Sequence, residues 1–588
     1  MWFISRRPGK QSRDHARARR FVPQLEVLEN RALLSTLTVV NAFDSGAGSL
    51  RDAITGAKSG DTIMLAPSLN GQTITLTSDQ ITINKSLGIE GPGASLLAIS
   101  GNNANRVFDI SGGLTVTFNG LTITQGLGKG DVRGQNQGGG GGGAILNGGS
   151  TVNLANDIFA NNAALDHGGA ITNGPGSVLS VVNCSFLGNQ ALGQVGSAYV
   201  EGGAIWNTDN TGAGATATVV DCTFIGNRAR AADGGKLTGS VLGETAGGAI
   251  HSEGPDSLTV RNSTFVDNQA IAGNGGDGSQ ASGAYRIDWA HGGAIVNDGG
   301  QYFAADGCTF SDNQAIAGSN LVGSSGPGRI GHAEGGAVDS QGMATITNCE
   351  FDHNDALGGN NNTAGSGVLL NGRAAGGAIG SFQFFKSTPA ILVVGSCTFT
   401  DNQAIGGSGD TGGLIAGIGI GGGIANDRGG TATVTRSTFT GNQALGGTGA
   451  TGQNGADGLG GAIANILGSA LNVSGCTLAG NQALGGAGGP AANGGDGFGG
   501  GIFNDGLSIW PTNAGTPATL TISGSTITNN AATGGAAGSG GRTGQGLGGG
   551  AYLASGGVVC LDLFTSMDIV GNTASTSNDD AFGVFAIC

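Results

Sequence analysis

Short segments with alternating apolar and polar residues recur along most of this chain, and they predict a protein built almost entirely of β-strands. Segments such as TATVVDCTF and DSLTVRNSTF are rich in β-branched residues and are bounded by turn-forming residues. Alternation with a period of two is typical of strands that have one buried face. With their flanking segments, they predict about three short strands in each repeating unit.

Two tetrapeptide motifs alternate from about residue 140 onwards and define the repeating unit. One is Phe-x-x-Asn or a relaxed form of it, and the other is Gly-Gly-Ala-Ile or a close variant. Self-similarity of this kind is the signature of repeat architectures. The Gly-Gly-Ala-Ile motif begins at eleven positions: Gly142, Gly168, Gly202, Gly247, Gly292, Gly335, Gly376, Gly421, Gly460, Gly499 and Gly549.

The apolar residues of these motifs predict two interior ladders. A single unit cannot bury its own apolar side chains, so we expect the units to stack as coils of one solenoid, with equivalent residues about 4.8 Å apart. One ladder consists of Ile145, Ile171, Ile205, Ile250, Ile295, Val338, Ile379, Ile424, Ile463 and Ile502. The other consists of Phe159, Phe186, Phe224, Phe265, Phe310, Phe351, Phe399, Phe439, Leu478, Ile527 and Ile569.

The asparagine of each Phe-x-x-Asn motif predicts a third ladder. A buried amide is costly unless its donors and acceptors are matched, and the amide of the next coil supplies that match. The ladder consists of Asn162, Asn189, Asn227, Asn268, Asn313, Asn354, Asn402, Asn442, Asn481, Asn530 and Asn572.

The glycines predict corners and loops. Glycine allows a positive φ angle or a close approach between backbones, which suits the paired glycines of each motif. Segments such as GGAGGPAANGGDGFGGG differ in length between units while the motifs do not. Because insertions at a loop cost little closure entropy, we place these glycine-rich segments on one edge of the solenoid.

The segment SLRDAITGAK near the amino-terminal end predicts a short capping helix. Ser49 and Asp52 are spaced as in a capping box, and Leu50 and Ile54 fall on one helical face. Such a helix would cover the apolar end of the first coil, as terminal units of solenoids must. We therefore divide the chain into a leader at 1–35, a cap with the first coils at 36–138, and a repeat region at 139–588 with eleven units.

The paired GGAI and FxxN tetrapeptides resemble the repeats of the chlamydial polymorphic outer membrane protein family. The resemblance covers about residues 139–572 and implies a β-helical passenger at a bacterial surface, often adhesive. The strands before it, such as LTVTFNGLTIT, resemble the opening coils of bacterial right-handed β-helix proteins. We expect an all-β fold: a single-stranded, right-handed parallel β-helix, or solenoid, with a short amino-terminal capping helix and glycine-rich loops on one edge.

The first 35 residues differ from the rest in charge. They hold eight Lys and Arg residues against three Asp and Glu residues, although the whole chain has a net charge of -15. The string LEVLENRALLS, from Leu25 to Ser35, resembles the leader shared by many planctomycete extracellular proteins. That resemblance implies export, to the medium or to the cell surface and outer membrane, and the alternative is a disordered basic tail. No apolar run reaches the roughly 18 residues of a transmembrane helix.

Composition narrows the class of partner. The 122 glycines are interspersed with β-branched residues, so the chain is neither collagenous nor simply disordered. A net charge of -15 and a pI near 4.7 argue against nucleic acid, whose phosphates require clustered Lys and Arg.

Two sets of residues are candidates for ligand binding. The residue after the inward-facing isoleucine should point outward, which predicts an exposed row of Trp206, His251, Val296 and Asp339 on consecutive coils. This row would present an aromatic ring and polar groups to a ligand.

The second set lies in the insertion AYRIDWAH. It gathers Tyr285, Arg286, Asp288, Trp289 and His291, a mixture suited to stacking on sugar rings or to anchoring a partner. The alternative is that this loop packs against the solenoid.

A row of aspartates is the candidate catalytic site. Asp267, Asp312 and Asp401 share one repeat position, which His353 also occupies. Stacking would bring Asp267 and Asp312 within about 5 Å at the backbone, near the carboxylate separation of retaining glycosidases. A solvated acidic stripe explains the same residues.

Metal and disulfide sites have fewer signals. Asp277, Asp457 and Asp496 lie in glycine-rich GGDG or GADG loops and are candidate calcium ligands, although they lack the nonapeptide spacing of tandem calcium repeats. Six cysteines precede the phenylalanine position by two residues, where serine also occurs. Adjacent pairs such as Cys184 with Cys222, or Cys308 with Cys349, are candidate disulfides.

These patterns favour an exported, monomeric β-helical scaffold that is adhesin-like or binds carbohydrate and is not an enzyme. The expected partner is an extracellular polysaccharide or a component of a cell surface. No cofactor is expected, and calcium binding is the alternative. The alternative is a polysaccharide lyase or glycoside hydrolase of the pectate-lyase-like β-helix type.

Overall fold

The computed structural model describes residues 34–129, 141–209, 212–281, 283–299, 302–383, 390–505, 517–554 and 558–588. Ser35–Cys588 form one compact unit, which is a parallel β-helix. The proposed leader lies outside the described residues except for Leu34 and Ser35, so export stays a prediction. Among the described residues, no helix is both long and apolar enough to cross a membrane.

Four long parallel sheets form the wall of the β-helix, and we name them A to D. From Phe108 to Ala574, each coil contributes one strand to each sheet in the order C, A, B and D, whereas the coils before Phe108 have no described strand in sheet D. The strands of each sheet pair with their equivalents in the neighbouring coils. Sheet A contains Thr36–Val39, Thr62–Leu65, Leu87–Glu90, Thr115–Asn119, Thr151–Ala155, Val178–Val182, Thr216–Val220, Ser257–Arg261, Tyr302–Asp306, Met343–Thr347, Ile391–Gly395, Thr431–Thr435, Ala470–Ser474, Thr519–Ser523, Val559–Leu561 and Ala586–Ile587. Sheet B contains Gln72–Thr75, Leu97–Ser100, Thr122–Thr124, Ile158–Ala160, Ser185–Leu187, Thr223–Ile225, Thr264–Val266, Thr309–Ser311, Glu350–Asp352, Thr398–Thr400, Thr438–Thr440, Thr477–Ala479, Thr526–Thr528 and Ile569–Val570.

Sheets C and D complete the wall. Sheet C contains Ile81–Ile83, Phe108–Ser111, Ile145–Gly148, Ile171–Asn173, Ile205–Thr208, Ile250–Glu253, Ile295–Asp298, Val338–Ser340, Ile379–Phe382, Ile424–Asp427, Ile463–Asn465, Ile502–Asn504, Ala551–Leu553 and Ala581–Gly583. Sheet D contains Leu127–Gly128, Ala163–Leu165, Gln190–Leu192, Arg228–Arg230, Gln269–Ile271, Gln314–Ile316, Asp355–Leu357, Gln403–Ile405, Gln443–Leu445, Gln482–Leu484, Ala531–Thr533 and Thr573–Ala574. The predicted fold class is confirmed.

The glycine-rich insertions lie at one corner of the coil, between sheets D and C, and they form parallel sheets of their own. Sheet E contains Tyr199–Glu201, Glu244–Ala246, Ala290–His291, Ala333–Glu334, Ala374–Ala375, Gly419–Ile420, Gly458–Leu459, Gly497–Phe498 and Gly546–Leu547. Sheet G contains Val241–Leu242, Tyr285–Ile287, Gly328–Ile330, Leu370–Asn371 and Ile415–Ala416, and sheet F contains Asp277–Gly278 and Val322–Gly323. Sheet E covers the outer face of sheet C and shields the residues on that face from solvent.

The predicted cap is present at the amino-terminal end of the β-helix. An α-helix spans Leu50–Gly56, and the Ser49 side chain at its N-cap accepts the backbone N–H of Asp52. Leu50 and Ile54 are buried against the first coil. A 3-10 turn at Pro67–Leu69 and a second short α-helix at Leu563–Met567 are the other helical segments of the described residues.

The two apolar ladders are confirmed. Every predicted isoleucine-position pair is in register, from Ile145 with Ile171 to Ile463 with Ile502. The phenylalanine rings from Phe159 to Phe439 stack with centroids 4.5 to 4.9 Å apart. The last glycine motif is one residue earlier than predicted, because Ile502 pairs with Ala551 and the positive φ angle belongs to Gly548.

The asparagine ladder is also confirmed. In each step, the Nδ2 of one asparagine donates both to the Oδ1 of the next asparagine and to a backbone carbonyl of the preceding coil. Asn313 Nδ2, for example, lies 2.9 Å from Asn354 Oδ1 and 3.0 Å from the carbonyl oxygen of Phe265. The backbone N–H of Asn313 donates to the same Oδ1 at 3.1 Å. The amide therefore has hydrogen-bond partners on both sides, and its burial does not carry the free-energy cost of an unpaired polar group.

The cysteine slot differs from the prediction, because adjacent-coil disulfides are not formed. Cys184, Cys222, Cys308 and Cys349 are buried free thiols, as are the two later cysteines of the slot. Each slot sulfur or hydroxyl accepts the backbone N–H of the slot residue in the preceding coil. Cys184 N–H, for example, donates to Cys222 Sγ at 3.4 Å. Serine makes the same bond, which explains why serine and cysteine alternate there.

The one disulfide of the described residues joins Cys560 to Cys588, with a Cα–Cα distance of 5.9 Å. These cysteines lie outside the slot, and their position outside the repeat pattern was the signal that could have identified the pair. The bond ties the final sheet A strand to its neighbour.

Candidate functional site

A layer of buried charged and aromatic side chains lies between the outer face of sheet C and sheet E, and we name it the polar layer. It contains four of the five histidines and both tryptophans among the described residues. Charged residues make up only 11% of this chain, so their concentration in a buried position requires an explanation. Its members are His167, Glu201, Trp206, Glu244, His251, Glu253, Arg286, Trp289, His291, Asp298, His332, Glu334, Asp339, Arg373, Asp427 and Arg428.

The same positions are apolar in the carboxyl-terminal half of the β-helix. There the space between sheets C and E is filled by an aliphatic and aromatic cluster that includes Ile420, Ala425, Leu459, Ala464 and Phe503. The backbone is the same, with identical pairing of sheet E and sheet C strands in both halves. Folding therefore does not require charged residues here, and the polar layer is the candidate functional site.

The first group of the polar layer surrounds Glu201. Its Oε2 lies 3.3 Å from Nδ1 of His251 and 3.5 Å from Nδ1 of His167. The His167 ring stacks on Trp206, with centroids 4.2 Å apart. Glu253 faces the same space and accepts the Thr208 hydroxyl at 2.8 Å. Two imidazoles and two carboxylates thus converge.

Burial and mutual attraction compete in this group. Burial disfavours the charged form of both His251 and Glu201, but their attraction is stronger and raises the pKa of His251 to about 9 while it lowers the pKa of Glu201. Burial, reinforced by the charge of Glu201, raises the pKa of Glu253 to about 7. Burial lowers the pKa of His167 despite the nearby Glu201.

The second group surrounds His291. Its Nδ1 lies 3.1 Å from Asp339 Oδ2 and 3.7 Å from Glu334 Oε2, and its Nε2 lies 3.6 Å from Glu244 Oε1. Arg286 Nε lies 3.2 Å from Glu244 Oε2. Burial lowers the pKa of His291, but the Asp339, Glu244 and Glu334 carboxylates together raise it more, so the net shift is upward. Burial raises the pKa of Asp339 to about 6.

The third group is a network of ion pairs around Arg373. Its NH1 donates to Glu334 Oε1 at 2.9 Å, and its NH2 donates to Asp427. His332 Nε2 lies 2.9 Å from the same Glu334 oxygen. Burial, together with the positive charge of Arg373, lowers the pKa of His332 to about 3, so this imidazole is neutral. Arg428 extends the network over the Phe382 ring, 5.0 Å from its centroid.

The predicted exposed row is buried, and this part of the prediction was wrong. Trp206, His251, Val296 and Asp339 do point away from the interior, but their exposures are only 3%, 1%, 1% and 0%. Sheet E covers them, because the insertions stack in register instead of projecting into solvent. A sugar ring cannot stack on Trp206 in this conformation.

The AYRIDWAH segment packs against the solenoid, as its alternative interpretation expected. Trp289 is fully buried, and its Nε1 donates to the carbonyl oxygen of Arg329 at 3.3 Å. The Arg286 guanidinium lies 5.3 Å from the Trp289 ring centroid. Tyr285 belongs to sheet G, where its hydroxyl donates to the Ser324 carbonyl oxygen. The segment is part of the outer layer, with Arg286, Trp289 and His291 in the polar layer.

The structure brings together most of the predicted ligand-binding residues, although their role stays a prediction. Trp206, His251, Arg286, Trp289 and Asp339 all belong to the polar layer, and Tyr285 does not. Sequence reasoning missed eight charged members and two histidines. The signal lay in the residue directly before each glycine pair, which is histidine or glutamate in some units and alanine or an aliphatic residue in others. The missed members are His167, Glu201, Glu244, Glu253, Asp298, His332, Glu334, Arg373, Asp427 and Arg428.

The aspartate row occupies a turn between sheets B and D. Asp267, Asp312, His353 and Asp401 have φ angles of 53°, 55°, 52° and 51°. Glycine or asparagine occupies the equivalent position in the other units, all with positive φ angles, because these residues tolerate the left-handed conformation best. The backbone therefore accounts for this row, and its catalytic role stays a prediction.

The candidate calcium ligands are distributed along the loops. Asp457 Oδ1 accepts the backbone N–H of Asp496, and Asp496 Oδ1 in turn accepts that of Gln545. Asp277 lies in sheet F and accepts the backbone N–H of Ser279 at 2.9 Å. Each carboxylate thus stabilises a loop backbone, and calcium binding stays a prediction.

A hydroxyl-rich surface covers the outer faces of sheets A and B in the carboxyl-terminal half, and we name it the threonine face. Its strands carry no charged residue, and Arg436 is exposed in the turn between them. Thr398, Thr438, Thr477 and Thr526 are register partners on successive coils of sheet B. Val393, Thr433, Asn472 and Thr521 are register partners on sheet A. The outward-facing residues of these strands are Ile391, Val393, Thr398, Thr400, Thr431, Thr433, Thr435, Thr438, Thr440, Ala470, Asn472, Ser474, Thr477, Ala479, Thr519, Thr521, Ser523, Thr526 and Thr528.

Comparison with known proteins adds only to the fold. No protein-family model and no curated protein matches the chain. A catalytic domain of a GH87 alpha-1,3-glucanase in complex with tetrasaccharides is 12% identical, with 89% of this chain and 68% of that chain covered and a TM-score of 0.38. PfbA, a surface adhesin of Streptococcus pneumoniae, is 11% identical, with 75% and 89% covered and a TM-score of 0.27. Tailspike protein 3 of bacteriophage CBA120 is 12% identical, with 91% and 58% covered and a TM-score of 0.24.

Proposed function

We propose that this protein is an exported β-helical scaffold that binds an extended polysaccharide on its threonine face without cleaving it. The observation that carries the proposal is the repetition of hydroxyl groups on that face. Neighbouring strands are about 4.8 Å apart and same-face residues of a strand about 6.7 Å apart, so the hydroxyls form a regular array. Each threonine hydroxyl is both a donor and an acceptor, which suits the hydroxyl groups of a polymer with a regular repeat.

The strands of the threonine face carry no charged residue, and this indicates the class of ligand that would bind there. None of its outward-facing residues is Asp, Glu, Lys or Arg, whereas the earlier coils of sheets A and B carry Arg261, Asp306, Glu350 and Asp352. A neutral polymer is therefore favoured over an anionic one, and binding should be insensitive to salt. This surface is consistent with the sequence predictions of a polysaccharide partner and of a binding protein.

Export is supported by two independent features. The Cys560–Cys588 disulfide is of a kind that persists in oxidising compartments outside the cytoplasm. The basic leader with its LEVLENRALLS string resembles that of extracellular proteins. We propose that the protein is secreted or held at the cell surface, where an adhesin-like role would use the same face.

The test is sedimentation of the full chain with a panel of insoluble neutral polysaccharides. The double variant Thr433→Lys with Thr521→Lys places two charges in the middle of the threonine face and should weaken binding at least about tenfold. The control carries the same substitutions at Thr448 and Thr533, which are exposed at a different corner. Equal binding by both double variants, or no binding of the native chain to any polymer, would refute the proposal.

An assay for released reducing sugars in the same samples tests the alternative. Cleavage that disappears in Asp267→Ala with Asp312→Ala would establish a polysaccharide-active enzyme instead. Binding without cleavage supports the scaffold.

A further inference from the structure

We propose that His167, Glu201, His251 and Glu253 form a binding site for a divalent transition-metal ion, such as Zn²⁺, inside the polar layer. The site is independent of the threonine face, which lies on other sheets. It joins residues of three coils: His167 from the segment before Gly168, Glu201 from sheet E, and His251 and Glu253 from one strand of sheet C.

The distances among the donor atoms suit a metal ion. One ligand atom from each of Glu201, His251 and Glu253 lies within 4.8 Å of the others. The contacts of Glu201 Oε2 with Nδ1 of His251 and Nδ1 of His167 are 3.3 and 3.5 Å. A tetrahedral zinc ion with bonds of about 2.0 to 2.1 Å holds its ligand atoms about 3.4 Å apart. The two contacts match that separation.

The hydrogen bonding of His251 gives independent support. The residue is only 1% exposed, and among the described residues its Nε2 has no hydrogen-bond partner, while its Nδ1 has only the 3.3 Å contact with Glu201 Oε2. Buried polar atoms are normally hydrogen-bonded, so such a side chain points to a missing partner. Its Nδ1 faces the Glu201 carboxylate, and a metal ion between these two groups would be bound by both.

The charges of this group differ from those of its neighbours. The third group compensates Glu334 with the Arg373 guanidinium at 2.9 Å. The ion pairs of Glu201 are formed instead with His251 and His167, which must be neutral to bind a metal. A divalent cation would balance the two glutamates, as the guanidinium does for Glu334.

The sequence context supports a functional role for both groups, and the access route favours the first group over the second. Aliphatic residues such as Leu459 and Ala464 fill the equivalent space in later coils, so the fold does not demand these ligands. The His167 side chain is 25% exposed, which gives an ion a path from solvent. His291 and Glu334 of the second group are 2% and 1% exposed.

The donor set selects the class of ion. Two imidazole nitrogens with two carboxylates suit Zn²⁺ and related first-row ions. Calcium and magnesium prefer oxygen ligands alone. This site is therefore distinct from the calcium candidates Asp277, Asp457 and Asp496.

The experiment uses the full chain after dialysis against a chelator. Isothermal titration with Zn²⁺ should show one tight site per chain, and Co²⁺ should produce the visible absorption bands of a tetrahedral complex. His251→Gln and His167→Gln should each weaken binding at least about 100-fold. His353→Gln, on the surface and outside the polar layer, should leave binding unchanged.

Folding of every variant is checked by circular dichroism, and His167→Gln keeps the test valid if the more deeply buried His251→Gln unfolds. Retention of tight binding in a folded His167→Gln variant would overturn the proposal. So would an equal loss of binding in a folded His353→Gln variant, or failure of the native chain to bind either ion.

Discussion

Each asparagine of the interior ladder uses its side-chain amide and its backbone N–H in bonds between coils. Asn354 shows the whole pattern: its Nδ2 donates to Phe310 and to Asn402, and its Oδ1 accepts two bonds from Asn313. Such an amide is stable in the interior only while both neighbouring coils are present. One residue therefore connects three coils.

We expect Asn354→Ala to lower the free energy of unfolding by at least about 3 kcal/mol, because it leaves several buried donors and acceptors without partners. Asn360→Ala, which removes a single exposed hydrogen bond to Ser408, should cost less than about 1 kcal/mol. Urea unfolding followed by circular dichroism measures both. Similar losses in the two variants would show that the ladder is not what stabilises the interior.

At the residue scale, a residue that a turn requires for its backbone conformation can be mistaken for a catalytic residue. The row of Asp267, Asp312 and Asp401 looks catalytic when aligned by repeat, but the shared property is a left-handed backbone. Glycine at Gly441 and Gly480 fills the same turn. Where aspartate and glycine alternate at one repeat position, a turn with a positive φ angle should therefore be inferred before a catalytic role.

At the scale of the element, the glycine pair joins sheet E to sheet C at the tightest point of the coil. The first glycine, as in Gly335, has a positive φ angle of 62°. A Cβ on the second glycine, as in Gly336, would overlap the carbonyl oxygen of Gly377 in the next coil and the backbone of Asp355 in sheet D. Both constraints come from backbone atoms, which cannot move aside.

Gly336→Ala should therefore destabilise the protein by more than about 3 kcal/mol or prevent folding, since the clash shifts two backbones. Gly239→Ala is the matched control, because a Cβ there has no atom within 4 Å. That control should change stability by less than about 0.5 kcal/mol. Thermal unfolding of the two variants is the measurement, and a tolerated Gly336→Ala would contradict the packing described for this corner.

At the scale of the whole molecule, buried aspartates make stability depend on pH. Burial raises the pKa of Asp157, Asp256 and Asp410 to about 7 and that of Asp288 to about 8. The folded state then binds more protons than the unfolded state, in which aspartate has a pKa near 3.8. The stabilisation is fully present below that unfolded value and is lost as pH rises through the folded value.

We therefore expect the free energy of unfolding to fall between pH 4 and pH 8, by up to about 1.4 kcal/mol per pH unit for each such group. Asp410→Asn should flatten this dependence, because Asn362 already occupies the equivalent place in the preceding coil and the backbone bond survives. Asp221→Asn, at an exposed turn where Asn183 and Asn262 flank it, is the control and should leave the slope unchanged. Denaturant unfolding across this pH range would contradict the assignment if both variants behave alike.

The repeat by itself determined the fold, its register and its interior. Ile145, Phe159 and Asn162 recur at equivalent positions, and stacking is the one arrangement that buries all three ladders, so local sequence was sufficient. The helix at Leu50–Gly56 was also predictable from local sequence, because its N-cap and its apolar face are both encoded within the segment. The start of the last glycine motif was assigned to Gly549 instead of Gly548, because three successive glycines make its register ambiguous.

The candidate site was decided by tertiary structure. Trp206 and His251 were correctly predicted to point away from the interior, but nothing local in the sequence shows that sheet E lies over them. The insertions that form this cover vary in length, and their pairing depends on contacts between coils about 40 residues apart, as between Glu201 and Ala246. Periodicity within a unit determines which face a residue occupies, whereas its solvent exposure depends on which distant segment packs against that face.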